Sequence, residues 1–464
     1  MRLDFPELGR IHAERADLPP PSPPLLRRLH GLRRIAVLDS AGGGRYTVVA
    51  ATPLARFTWR PGLGEVALPG GARARDPSLV EALRSMLLAT AAEAHGPLPF
   101  GPGWLGYLGY GARVAFEEVP ERHADDLGLP DVDLSYYPAV AVYDAEEEVW
   151  WFVSRRECAD TARTIHACLL RAAPELPPVS TGPARPMVAR EAYLAAVRRA
   201  VEYIHAGDVF QVNYAHEFRA AYRGDPLALY LALREANPSP YGAYLDLGRD
   251  AAVLSTSPEL FLRVRGHEVT TRPIKGTRPR GADEASDRRL REELRGSEKD
   301  AAELAMIVDL ERNDLGRVCA PGTVEVLTDA EIESYATVHH RVAEVRGEIE
   351  EGFDRVDLLA ATFPGGSITG APKVRAMEII DGLEASRRGP YTGAIGLLSD
   401  DGNMDLNIAI RTPVLAKGEV RVHVGGGIVA ESVPEAEYEE TLAKGRAIFE
   451  VPSPTRLNED RGVR

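Results

Sequence analysis

The chain has 464 residues, 44% of them apolar, with 55 Lys+Arg against 69 Asp+Glu for a net charge of −14. That length suits one large or two to three ordinary domains with a sizeable core. The acidic balance argues against nucleic acid or an anionic membrane as partner, so an anionic substrate would need a locally basic pocket. No apolar run is long enough to cross a bilayer, and Met1–Pro6 lacks the apolar core of a signal peptide. Cys158, Cys168 and Cys319 lack metal or redox spacing, which predicts reduced thiols in a cytoplasmic protein.

In chain order, the proline-rich 19–24 is a stiff lead-in, and strands are predicted over 34–38 and 46–50 around Gly42-Gly43-Gly44. A helix is expected over 78–93 after Asp76-Pro77. The run 101–110 is too rich in glycine for an ordinary helix and implies close backbone packing. A hairpin is predicted from 136–143 and 148–153, a helix over 160–173, and a linker over 174–186. Beyond it come a helix over 190–206, a strand over 209–218, a helix over 226–237, and strands over 241–247, 251–255 and 260–265. Helices follow over 298–310, 356–363 and 371–381, strands near 393–398, 404–412 and 420–424, and a helix over 434–449. The order predicts an α+β fold with large antiparallel β-sheets packed as a sandwich, helices outside, rather than a doubly wound sheet. The regions are 1–180, 187–450 and a tail over 451–464.

The chemistry-bearing stretch is 271–281, Thr-Arg-Pro-Ile-Lys-Gly-Thr-Arg-Pro-Arg-Gly, read as a basic turn after a short strand. Burial and nearby positive charge from Arg272, Arg278 and Arg280 would favour a neutral, nucleophilic Lys275, and the arginines could grip a carboxylate. Two acidic pairs, Asp300/Glu303 and Glu437/Glu440, each lie on one helix face, with Lys444 one turn beyond the second. Facing one cleft, four carboxylates would need a cation between them, and carboxylate-only ligation suits Mg²⁺. Alone, either pair is an ordinary solvated face. The run 363–373 could offer amides to an anion at a helix start. Gly425-Gly426-Gly427, between a strand and the last helix, lets a ligand carboxylate approach bare N–H groups. Arg411 ends an apolar strand as either an edge residue or a carboxylate anchor, and His340 is either an acid/base group or a structural histidine.

Together Phe210-Gln211-Val212-Asn213, Ser257-Pro258-Glu259, 273–281, Met306–Gly316, 363–378 and 425–444 resemble the chorismate-utilising enzymes, in the family order, over about 188–450. The first third is similar more loosely, through Leu38-Asp39-Ser40 and 101–110. The family comprises anthranilate synthase large subunits, aminodeoxychorismate synthases and isochorismate synthases. Lys275 stands where anthranilate synthases typically carry alanine, and resembles the nucleophilic lysine of aminodeoxychorismate synthases. Gln211 stands where water-using members carry a lysine base, which favours ammonia as the incoming group.

By this resemblance, Lys275 attacks chorismate C2 while Glu259 protonates the departing C4 hydroxyl. Ammonia then adds at C4 and expels the lysine, giving 4-amino-4-deoxychorismate, the precursor of 4-aminobenzoate and folate. The resemblance further implies Mg²⁺ on Glu303 and Glu440 with Asp300 and Glu437 close by, and substrate contacts from Gly276, Thr277 and Lys444. Tyr391, Arg411, Gly425, Gly426 and Gly427 would hold the enolpyruvyl carboxylate, and His340 matches a histidine near the ring. No cysteine sits in a glutaminase nucleophile turn, so a separate glutamine amidotransferase subunit is implied as the ammonia source. Ser40, Pro240, Tyr241 and Gly242 resemble a tryptophan pocket, or simply pack the two regions together. Glu311 and Arg341 depart from the family pattern and are expected to face outward. The alternatives are an anthranilate synthase large subunit and a non-catalytic paralogue binding chorismate or tryptophan.

Overall fold

The structure is a computed structural model that describes residues 3, 5–41, 43–93, 98–248 and 250–449. Gly42, Met1, Arg2, Asp4 and the tail over 451–464 lie outside the described residues. Two antiparallel sheets, of 13 and 12 strands, lie face to face with helices on their outer faces. Between the sheets pack Val48, Val140, Val142 and Ala243 of one and Leu105, Tyr107, Ile395 and Leu397 of the other. On the outer face of the 12-stranded sheet, Leu83, Leu304, Val308 and Leu359 of three helices meet Phe57, Leu134 and Val264. Leu25, Ile165 and Leu231 likewise cover the 13-stranded sheet. No helix among the described residues is long and apolar enough to cross a membrane.

The sequence regions on either side of 174–186 share both sheets. Ala36–Asp39 pairs with Tyr241–Gly248, Gly242 opposite Asp39, and Gly103–Leu108 pairs with Ala394–Ser399, Ala394 opposite Leu108. The expected linker itself carries two short strands, Ser180–Thr181 and Arg185–Pro186, on the strand Gln211–Arg223.

The glycine-rich run forms the fully buried strand Gly103–Leu108. A Cβ at Gly106 would lie 2.0 Å from the Asp133 carbonyl oxygen on the neighbouring strand, so only glycine lets the two backbones meet. Gly106→Ala is therefore expected to destabilise the fold by about 3 kcal/mol, read as a lower urea midpoint, because backbone rather than a movable side chain must yield.

Two expected elements differ. The segment 136–143 is not one strand: Val132–Tyr137 belongs to one sheet and Ala139–Asp144 to the other, and Pro138 marks the crossing. Only the second half makes the expected hairpin, with Val149–Arg155. The segment 271–281 is not a turn either. Ile274–Pro279 is a strand paired with Val338–Glu348, and its register shifts between Ile274 and Thr277. Gly276, at φ 83°, sits in that bulge.

Candidate active site

The bulge aims Lys275 inward, where its Nζ donates to the Ser367 carbonyl oxygen at 3.2 Å. Burial, first, and the nearby Lys444 hold its pKa below the ordinary lysine value, against the opposing pull of Glu259, Glu303 and Glu311. The expected role of the arginines fails, because each is engaged by carboxylates. Arg272 pairs with Glu333 and Glu344, Arg278 with Glu293 and Asp300, and Arg280 with Asp287.

Glu259 follows the strand Ala251–Ser257 and is 4% exposed. Its amide donates to Ser257 Oγ and its carbonyl accepts from the Ile408 amide at 3.0 Å, so its backbone is fixed from two strands. Burial lifts its carboxyl to about 7, while the Ser367 hydroxyl, Lys275, the Ile274 amide and Arg411 oppose the rise. Arg411 lies beyond the strand Met404–Ile408 rather than at its end, in the left-handed region at φ 49°. Its carbonyl accepts from the Thr256 amide at 3.1 Å, but its guanidinium makes no hydrogen bond or ion pair among the described residues. A half-buried guanidinium left unpaired beside an acid is ready for a ligand carboxylate.

His340 is 2% exposed, opposite Thr277 in register, with Nδ1 2.9 Å from Thr277 Oγ1 and no partner on Nε2 among the described residues. Burial and then Arg411 push its pKa down to about 3, so the ring is neutral. It can steady Thr277 and offer one ring nitrogen to a ligand, but it is not a charged acid at neutral pH.

The opposite wall comes from the other sheet. Gly425–Gly427 lie within the strand Glu419–Ile428, not after it, with Gly425 opposite Ala215 and Gly427 opposite Asn213. Gln211 is fully buried, and both atoms of its side-chain amide lack partners among the described residues. A Cβ at Gly427 would meet that amide at 2.8 Å. Asn213 Nδ2 donates to the same Ser367 carbonyl as Lys275, at 3.2 Å, so one carbonyl ties the two walls together. The run 363–373 thus presents a carbonyl rather than amides to the site, and Lys373 turns inward to Asp314. Tyr391 is 8% exposed and stacks on His423, ring centres 5.5 Å apart, two residues before Gly425 and therefore on the same strand face.

The two acidic helices are Glu298–Gly316 and Pro434–Phe449. Glu437 and Glu440 flank Gly426, whose Cβ would lie 3.3 and 3.8 Å from their carboxylates. Glu437 accepts from Ser432 Oγ at 2.7 Å, and burial raises its pKa with a further push from Glu440. Lys444 Nζ lies 2.7 Å from Glu440 and donates to the Gly425 carbonyl at 2.8 Å. On the other helix Asp300 packs against Gly276 and pairs with Arg278, and Glu303 lies 3.8 Å from Lys299. Among the described residues no three acidic, histidine or cysteine side chains come together as a ready-made metal cage. The donors are hard oxygens on two helices that both act on Lys275, which fits a cation held by few carboxylates and completed by water and substrate oxygens.

Glu311 and Arg341 do not face outward as expected; each is 8% exposed. Arg341 donates to the Ser297 carbonyl at 3.0 Å, where two helices meet, and Glu311 accepts from Thr271 Oγ1 at 3.0 Å. The signal for Glu311 was present: it falls on the apolar stripe of Leu304, Ile307, Val308 and Leu315. Sequence reasoning also missed Ser367 and the buried Arg388–Glu384 pair, 2.7 Å apart behind Tyr391.

Away from Lys275, Ser40, Pro240, Tyr241 and Gly242 line a cavity of about 460 Å³ with Leu260, Arg263, Ile395 and Asn407. The four residues therefore border open space, as a ligand pocket requires.

A two-sheet α+β scaffold with a half-buried lysine, a protonatable glutamate and an unpaired arginine in one cleft defines an enzyme acting on an anionic substrate. The chain belongs to the chorismate binding enzyme family, whose model matches residues 40–450. It is 44% identical over 424 residues to anthranilate synthase component 1 of Thermus thermophilus, covering 89% of this chain and 91% of that one. It is 38% identical over 424 residues to aminodeoxychorismate synthase component 1 of Bacillus subtilis, covering 89% and 90%. The crystal structure of anthranilate synthase component I from Streptococcus pneumoniae is similar with a TM-score of 0.77 at 32% identity, covering 88% of this chain and 92% of that one. The chain is a chorismate-utilising enzyme, with relatives of both names.

Proposed function

We propose that the protein aminates chorismate at C4, giving 4-amino-4-deoxychorismate, with ammonia supplied by a separate glutamine amidotransferase subunit. The observation that carries this reading is Lys275: a half-buried amine with a lowered pKa, in one pocket with the acid Glu259. The neutral amine adds to C2, both ring double bonds shift by one position, and the C4 hydroxyl leaves as water with the Glu259 proton. Ammonia adds at C4, both double bonds return, and the Lys275 nitrogen departs from C2. The two allylic displacements place the new amine para to the ring carboxylate. Arg411 and the Gly425–Gly427 amides bind the enolpyruvyl carboxylate, Tyr391 lies along it, and His340 steadies Thr277. The unpartnered Gln211 amide, uncharged where a lysine base would be needed to activate water, suits a neutral ammonia nucleophile.

Glu303 and Glu440, with Asp300 and Glu437 beside them, would hold Mg²⁺, which supplies positive charge for the ring carboxylate. Ortho amination followed by pyruvate loss is the second reading, favoured by the 44% identity to an anthranilate synthase.

The test is product analysis with chorismate, Mg²⁺ and an ammonium salt at mildly alkaline pH. A 4-amino-4-deoxychorismate peak, converted to 4-aminobenzoate by an added lyase, is the expected result. Anthranilate as the product would overturn para amination. EDTA is expected to abolish turnover, and full activity in its presence would remove the Mg²⁺ assignment. The cavity at Ser40 and Tyr241 is a candidate tryptophan site, to be checked by calorimetry with tryptophan.

A further inference from the structure

The strand Gln211–Arg223 forms one wall of the site, and part of its outer edge has no partner strand among the described residues. Gly370–Ala371 pairs with Gln211 and Val212, and the Thr369 carbonyl accepts from the Asn213 amide at 2.8 Å. Backbone pairing resumes where the Met187 amide donates to the Glu217 carbonyl at 2.8 Å. Between those points a buried ion pair takes the place of a strand. Arg388 donates from Nη2 to the Asn213 carbonyl at 2.7 Å, and Glu384 accepts from the Ala215 amide at 2.9 Å. The two side chains thus supply the donor and the acceptor that a neighbouring backbone would have offered. Asn213 and Ala215 stand opposite Gly427 and Gly425, so the gap lies directly behind the glycine wall.

We propose that Arg388 is a positioning residue for the enolpyruvyl end of the substrate. Its planar fork holds the Gln211–Arg223 strand, the segment at Ile368 and the turn at Tyr391–Thr392 in one geometry. All five of its N–H groups find acceptors. Nε and Nη2 reach Glu384 at 2.9 and 2.7 Å, and Nη2 also takes the Asn213 carbonyl. Nη1 donates to the Ile368 carbonyl at 3.2 Å and to the Thr392 hydroxyl at 3.1 Å. Ile368 follows Ser367, whose carbonyl receives Lys275. Thr392 lies in the left-handed region at φ 58°, which a β-branched residue rarely adopts, so its surroundings must hold it there. The Arg388 bond to its hydroxyl and the Ala409 carbonyl, 2.8 Å from its amide, do so. The turn thus held carries Tyr391, whose ring centre lies 5.8 Å from the guanidinium, with Tyr110 at 4.5 Å. A lysine would match the charge but not the fork. Which end of chorismate lies at this wall rests on the amination reading; the ties made by Arg388 do not.

Two variants test this. Arg388→Lys keeps the buried charge pair and loses the fork, and Arg388→Gln combined with Glu384→Gln leaves no lone charge in the interior. Chorismate consumption with Mg²⁺ and an ammonium salt gives KM and kcat, calorimetry gives the Kd for chorismate, and thermal melting gives the folded fraction. In each variant that folds, KM and Kd are expected to rise by about 10-fold or more while kcat stays within about 3-fold, the pattern of lost substrate binding. A smaller folded fraction does the opposite: it lowers kcat and leaves KM where it was. KM and Kd unchanged in a folded variant overturn the proposal. Failure of both variants to fold also overturns it, by making the pair structural. The readout is loss of chorismate, so the two readings fail separately. Anthranilate from the unaltered protein overturns para amination and leaves this comparison standing. Should the unaltered protein consume no chorismate, the amination reading falls and Kd alone decides on Arg388. Para product with unchanged KM in the variants overturns the role of Arg388 alone.

Discussion

Lys275→Ala is expected to lower para amination by at least about 10³-fold while leaving chorismate affinity within a few-fold, because the variant keeps Arg411, the glycine strand and both acidic helices. Two measurements separate the effects: turnover by chromatography and binding by calorimetry. The methyl group that remains cannot attack C2, and added ammonia has no second amine to displace. The lysine adds little to ground-state binding, since its bond is to the Ser367 carbonyl. Para product at the wild-type rate would sink the covalent route. The fold should tolerate the change, because a half-buried amine on a bulged strand contributes little packing.

Glu259→Gln is expected to lower kcat by about 10²–10⁴-fold, the range for losing a positioned acid. The wild-type pH profile should be a bell. Glu259 must be protonated, and its carboxyl is lifted to about 7, so its limb falls as pH rises through that value. Lys275 must be neutral, and its pKa lies below the ordinary lysine value, so its limb rises with pH and does so earlier than for a free lysine. Rates compared at constant free ammonia isolate these two groups from the titration of ammonium. In Glu259→Gln the alkaline limb should disappear. The same raised carboxyl means that the folded chain binds this proton more tightly than the unfolded one. The stability that it contributes is therefore full below the ordinary carboxyl range and declines as pH rises towards 7. Glu259→Gln should accordingly unfold no earlier than wild type at pH 8, which distinguishes lost chemistry from lost structure. An alkaline limb unchanged in the variant would assign the acid elsewhere.

Much of this site was legible before any coordinates. Spacings of three put Glu437 with Glu440 and Asp300 with Glu303 on single helix faces, and the structure sets both helices around Lys275. The glycine run at 101–110 signalled backbone contact, and Gly106 makes it. What could not be read is what each residue meets across the fold. The apolar stripe hinted that Glu311 turns in, but its partner, the Thr271 hydroxyl, lies 40 residues earlier, where no local pattern points to it. Arg272, Arg278 and Arg280 looked like ligand grips because their partners Glu333, Glu293 and Asp287 are remote or ambiguous in sequence. The crossing at Pro138 was hidden because both flanking segments are fully buried and the residues beside it, Tyr136, Tyr137, Ala139 and Val140, are aromatic or apolar on both sides. Gly425–Gly427 looked like a loop because glycine disfavours strands, whereas here its missing side chains admit the neighbouring chain and the Gln211 amide.

The sharing of both sheets by the two halves of the chain bears on how the protein is made. During synthesis Gly103–Leu108 and Ala36–Asp39 emerge long before Ala394–Ser399 and Tyr241–Gly248, the strands that cover their edges. Neither sheet can close until more than 400 residues have left the ribosome, and until then apolar strand edges stand open to other nascent chains. Such long-range pairing makes folding slow and late. Yield in a cell-free translation should therefore depend on chaperones more steeply than the stability of the finished protein would suggest. Two fragments cut within 174–186 should be insoluble apart and recover structure only when produced together.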